Sequence, residues 1–141
     1  MKRITFLSLL LALSTLLCSA QEEEEVVYTY DELCQYLRDH QGGYTVSVTL
    51  GADIDQEDMQ NGRELLANVS DVTLDLNGHK LSRKARTIDL CLFEVINGGT
   101  LTVKDSQGGG SVYFDNTAYQ DSHSWLFSVR SESTLNIYGG K

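Results

Sequence analysis

"LFEVINGGTLTVKD", residues Leu92 to Asp105, reads as a strand, a tight turn and a second strand; thirty-four residues further on, "LFSVRSESTLNIYG", Leu126 to Gly139, follows the same plan. Leu92/Leu126, Phe93/Phe127, Val95/Val129, Thr100/Thr134 and Leu101/Leu135 are identical, and Val103/Ile137 is conservative. Within each copy the apolar residues keep a period of two, and side chains at i and i+2 share one face of a strand. Phe93, Val95, Leu101 and Val103 therefore point one way, as do Phe127, Val129, Leu135 and Ile137. Glu94, Thr102, Lys104, Ser128, Arg130 and Asn136 point the other. An earlier, looser copy is "VTLDLNGHKLS", with Val72, Leu74 and Leu76 inward, Thr73 and Asp75 outward, and Asn77-Gly78 at the turn.

A unit repeated at fixed spacing cannot bury its apolar face alone, so the repeats must stack, with like strands paired in parallel and like residues one above another. An all-β solenoid follows. A β-sandwich also accommodates short strands with Gly and Asn turns, so it stays open as the alternative, and the copy-to-copy register favours the solenoid.

The rest of the chain is read around this core. "MKRITFLSLLLALSTLLCSA" carries Lys2 and Arg3, an apolar run and a small residue at Ala20, the pattern of a secretory signal peptide over 1–20. Leu17 before Cys18 argues against a lipid anchor. No later stretch approaches the roughly 20 apolar residues of a membrane span. The reading predicts an exported protein, secreted, periplasmic or held at the cell surface. Loss of Lys2 and Arg3 takes the formal charge from -9 to -11, a surface that repels nucleic acid and anionic membranes. "EEEE" at Glu22 to Glu25 predicts a solvated, flexible tail over 21–27. "TYDELCQYLRDHQGG" has Thr29 or Asp31 as helix start, Leu33, Cys34 and Leu37 on one face, and Gly42-Gly43 as stop, predicting a short amphipathic helix within 28–43. Residues 44–141 hold the strands, with a helical turn or two expected around Glu64 to Ala67. Cys34 and Cys91 sit at apolar positions, which favours buried free thiols over a disulfide.

"VTLDLNGHKLS", "FEVINGGTLTVKDSQGGGSVYF" and "STLNIYGG" together resemble right-handed parallel β-helix proteins of the pectate-lyase-like superfamily, above all bacterial surface and secreted proteins that carry such coils. The resemblance covers roughly Val46 to the end. It implies that "YDELCQYLRD" caps the open top of the coils. The family includes polysaccharide lyases and glycosidases with carboxylate clusters on an outer face, but none of those residues transfers to this sequence. The chain ends at "IYGGK" with nothing to cap the last coil. The expectation is therefore an N-terminal part of something longer, or an open end that pairs with another chain.

Candidate chemistry is sparse. Asp75 and Asp105 stand at strand ends, where Asp serves turn backbone groups. Asp53, Asp55, Glu57, Asn61 and Glu64 match positions of a calcium loop whose required glycine is Asp58 here, so no metal is predicted. His79 lies in a turn. Asp121, Ser122 and His123 are neighbours in sequence, whereas a triad is assembled from separate elements. Gly108 to Ser111 lacks the lysine of a phosphate loop and reads as a turn. Asn68-Val69-Ser70 fits a glycosylation sequon. Trp125, Tyr138 and Tyr113 are the residues with a binding flavour, as exposed aromatic platforms for sugar rings. The function expected is a non-catalytic β-helix module, structural, adhesive or glycan-binding, without a cofactor. The alternative is the first coils of a polysaccharide lyase or glycosidase whose catalytic face lies beyond Lys141.

Overall fold

The computed structural model describes residues 23–56, 65–84, 91–115 and 125–141. Among these residues the fold is predominantly β, with one helix, three parallel sheets and no closed barrel. A long sheet is built from β1 (Glu23–Val27), β2 (Thr45–Leu50), β5 (Asp71–Asp75), β8 (Thr100–Lys104) and β11 (Thr134–Ile137), adjacent in that order. A second sheet runs β3 (Ile54–Gln56), β6 (Lys80–Lys84), β9 (Ser111–Asp115). The third runs β4 (Leu65–Asn68), β7 (Cys91–Ile96), β10 (Trp125–Val129). The chain visits the long, second and third sheets in that rotation. Every pairing among the described residues is parallel, which the antiparallel sandwich does not accommodate.

Register follows the repeat. Phe127 pairs with Phe93, Val129 with Val95, Leu135 with Leu101 and Ile137 with Val103. Inward residues form rows across successive passes: Val46, Val72, Leu101 and Leu135 in one, Leu65, Phe93 and Phe127 in another. The early rows are fully buried, while Leu126, Phe127 and Leu135 are half-buried and Val129 and Ile137 are exposed. Burial thus fades toward the last pass, because among the described residues its strands have a neighbour on one side only.

The helix α1 spans Tyr30–Asp39. Thr29 is its N-cap: Thr29 Oγ1 accepts the Glu32 N–H at 3.2 Å, and the Glu32 carboxylate accepts the N–H groups of Thr29 and Tyr28 at 3.1 and 2.8 Å. Asp31 and Glu32 in the first turn and Arg38 in the last suit the helix dipole. Its buried face, Leu33, Cys34 and Leu37 with Tyr30 and Tyr36, meets β1, β3 and β4, the strand at that end of each sheet.

Two expectations are corrected, and one buried cation is added. The described part of the acidic segment, Glu23–Val27, is a strand rather than a tail. Ladder bonds to β2 and burial of Val27 hold it there, while Glu24 and Glu25 stay in solvent. Leu65–Asn68 is a strand, not a helical turn, since Leu65 and Ala67 alternate inward against Phe93 and Val95. Arg83, which the pattern gave no reason to place inside, occupies an inward position and is 1% exposed. Its guanidinium lies 5.9 Å from the ring centres of both Tyr30 and Phe114, and Nη1 donates to the Cys91 carbonyl at 3.0 Å and the Tyr30 hydroxyl at 3.3 Å. It ties helix, second sheet and third sheet together.

Candidate functional site

The outward face of the long sheet carries short polar side chains in register. One row is Thr45, Asp71, Thr100 and Thr134; the next is Ser47, Thr73, Thr102 and Asn136; the third is Thr49, Asp75 and Lys104. Alternation dictates this, since the intervening Val46, Val48, Val72, Leu74, Leu101 and Val103 fill the core. Where the second and third rows meet β1 lies a cleft of about 310 Å³ lined by Glu24, Ser47, Thr49, Thr73, Asp75 and Lys104.

Asp75 is the anchor of this cleft. It faces outward yet is buried. Its Oδ1 accepts the N–H of Asn77 at 2.9 Å and of Ser106, on the next pass, at 3.0 Å; its Oδ2 lies 3.4 Å from Lys104 Nζ. Burial alone would raise its pKa, but the N–H bonds from Ser106 and Asn77, the Ser106 side chain and the Lys104 charge together outweigh it and hold the carboxyl below the usual range. A group held ionised in this way is a hydrogen-bond acceptor and a poor proton donor. The cleft offers hydroxyls, a fixed carboxylate and an ammonium, groups able to exchange hydrogen bonds with a polyhydroxylated ligand.

Asp105 serves a turn, as its position at a strand end led one to expect. Asp105 accepts the N–H groups of Gly78, Gly108 and Gly110 at 2.8, 3.2 and 2.8 Å, which makes the glycine run a turn. Asp53 takes the Lys80 N–H at 2.9 Å and lies 3.2 Å from His79 Nδ1; the backbone bond is the main reason its pKa is lowered, with His79 next. Asp55 accepts from Ser82 Oγ at 2.5 Å. Both thus face β6 and its turn, and no cluster of three metal-ligating side chains occurs among the described residues. Glu57, Asn61 and Glu64 lie outside the described residues, as do Asp121, Ser122 and His123. The amide of Asn68 is engaged within the fold: Nδ2 donates to Gln41 Oε1 at 3.3 Å and Oδ1 accepts from Asn97 Nδ2 at 2.9 Å. Cys34 and Cys91 are buried and unbridged.

The aromatic residues do not form one platform. Tyr113 is in β9, Trp125 in β10 and Tyr138 just past β11, one for each sheet. All three are more than half exposed; Tyr138 has the outward parity expected of it, whereas Trp125 pairs with buried Cys91 on the inward parity of Phe127, so the outward direction expected for it is corrected. Tyr138 alone stays with the cleft: its N–H donates to the Val103 carbonyl at 2.9 Å, which sets it next to Lys104 on the outward parity of the long sheet. The hydroxyl rows were overlooked because each strand shows only one or two such residues, and the row exists only across strands. No protein-family model, curated protein or solved structure matches this chain.

Proposed function

We propose that this chain is an exported, non-catalytic module, a right-handed parallel β-helix of the pectate-lyase-like kind capped by α1, whose long-sheet face binds an extended polysaccharide at a cell surface. Three parallel sheets visited in fixed rotation support the solenoid reading, and right-handed crossover between parallel strands is the rule. Export rests on the leader at 1–20. The half-exposed inner residues of the last pass support pairing of that end with another chain or with further coils.

The observation that carries the binding role is the cleft of about 310 Å³ with Ser47, Thr49, Thr73, Asp75 and Lys104 along one polar face. A polysaccharide laid across the strands would meet hydroxyls at the strand spacing of roughly 4.8 Å, with Tyr138 as a stacking ring at one side. The test is retention of the mature protein on insoluble polysaccharides, with soluble oligosaccharides followed by calorimetry. Wild type is expected to bind one glycan class, and Thr73→Ala with Lys104→Ala to weaken it about tenfold, the loss of one or two hydrogen bonds. Equal binding by the double variant would remove the cleft from consideration. New reducing ends or unsaturated sugars would favour the lyase or glycosidase reading instead.

A further inference from the structure

The long sheet stands one strand taller than the other two at the helical end, because β1 has no counterpart in them. The helix α1 lies alongside, packed on β1, β3 and β4. One edge of β1 is paired to β2; among the described residues no strand pairs with the other. Between that edge and the helix runs a second cleft, of about 500 Å³, with Glu25, Val26 and Tyr28 on the strand side and Glu32, Gln35 and Asp39 on the helix side. Val26 is 45% and Tyr28 58% exposed. A strand edge beside a helix, with apolar side chains in solvent, is the geometry in which an extended peptide adds to a sheet.

The walls define the partner. Glu25, Glu32 and Asp39 contribute carboxylates, and no lysine or arginine lines the cleft among the described residues. Glu32 spends its Oε2 on the Tyr28 and Thr29 N–H groups and Asp39 takes the Gln35 amide, which fixes both carboxylates in place. A second copy of this acidic edge is repelled, whereas a cationic strand is attracted. We infer that the cleft between β1 and α1 is a docking site for an extended, lysine- or arginine-rich peptide segment of another protein, which adds to the long sheet next to β1. Main-chain bonds along β1 supply affinity, and basic side chains toward the helix supply selection. The polysaccharide cleft lies toward β2 on the same strand, lined by Glu24.

The probe is a fluorescein-labelled octapeptide of alternating lysine and threonine, titrated into the mature protein by fluorescence polarisation. Two control peptides replace its lysines by glutamate or its threonines by proline, the latter keeping the charge but removing ladder donors. The lysine peptide is expected to bind at least about tenfold more tightly than either control, and Glu25→Lys with Asp39→Lys to lose about tenfold with unchanged far-ultraviolet dichroism. Should that variant fail to fold, amide exchange on wild type decides: the peptide must slow exchange in β1. Equal binding of the proline peptide, undiminished binding by the variant, no slowing of exchange in β1, or no binding by millimolar peptide would each overturn the inference.

Discussion

The rings of Phe93 and Phe127 lie one over the other, with centroids 5.2 Å apart and planes within 15°. They are the same residue of two successive copies of the repeat, paired across β7 and β10. Phe93 is 1% exposed, so Phe93→Ala is expected to cost about 3 to 5 kcal/mol in urea unfolding. Phe127→Ala, at a half-buried position, should cost less. The double variant should show a coupling of about 0.5 to 1.5 kcal/mol for the stacked pair; strict additivity would mean the rings do not touch in solution.

Asp75 predicts an acid-sensitive fold. Its folded pKa lies below the 3.8 of the free side chain, so the unfolded state binds the proton more readily near that pH. The stabilisation is complete above about pH 4 and is lost as pH falls through the depressed folded value. Asp75→Ala should cost about 2 to 3 kcal/mol at neutral pH, mostly from the N–H groups of Asn77 and Ser106 left without their acceptor. Lys104 is about half exposed and adds little to this. Unfolding curves for both proteins between pH 2 and 7 check the point: the gap should close toward the acid end, and a constant gap would contradict it.

Thiol reactivity gives a third measurement. Burial pushes the Cys34 thiol up to about 11, against the lowering influence of Arg38 and Tyr30. Two units above the free value of 9.0 means about a hundredfold less thiolate at pH 8. In the mature protein carrying Cys91→Ala, a disulfide reagent should react at least that much more slowly in buffer than in denaturant. Because the folded pKa is raised, the neutral thiol favours the fold below about pH 9, and this is lost as pH rises toward 11. Prompt labelling of the folded protein would show Cys34 to be accessible.

The turn at Ser131-Glu132 repeats the one at Asn97-Gly98 without its glycine. Gly98 has φ 78° and Glu132 φ 59°, a left-handed conformation that costs a residue with a Cβ about 1 to 2 kcal/mol. Glu132→Gly is therefore expected to raise stability by about 1 kcal/mol after the entropy of the unfolded glycine is counted, and Gly98→Glu to lower it. Thermal melts of the two single variants decide; a fall with Glu132→Gly would mean the side chain holds something that the turn needs.

How much of this was readable beforehand differs by element. The strands from Leu92 onward were legible because identical surroundings select identical residues, and pairing of Phe127 with Phe93 and Leu135 with Leu101 is that selection seen in space. Of the two helix starts the sequence offered, Thr29 and Asp31, Thr29 is the N-cap, through a side chain suited to that place. Glu23–Val27 was not legible as a strand: its local sequence is repulsive, and only the ladder to β2 overrides that. Ile54–Gln56 and Leu65–Asn68 are too short to display alternation on their own. Arg83 reads as an ordinary surface cation until Tyr30, Cys91 and Phe114 converge on it from the helix, the third sheet and the neighbouring strand β9. The polar cleft fared likewise, since no single strand contains it.

Gly99 shows why the passes can sit so close: a Cβ there would come within 2.8 Å of the Ala67 carbonyl. Around such corners, carboxylates reach across in both directions. Asp75 holds the backbone of Ser106 on the following pass, and Asp105 holds that of Gly78 on the preceding one. A stack of repeats joined only by ladder bonds and apolar rows would peel one layer at a time, each layer indifferent to the second beyond it. Here a layer that loosens takes away the anchor of its neighbour's turn. Fraying must therefore break both reciprocal bonds at this corner to advance, and the two passes that they join should melt together as a single block.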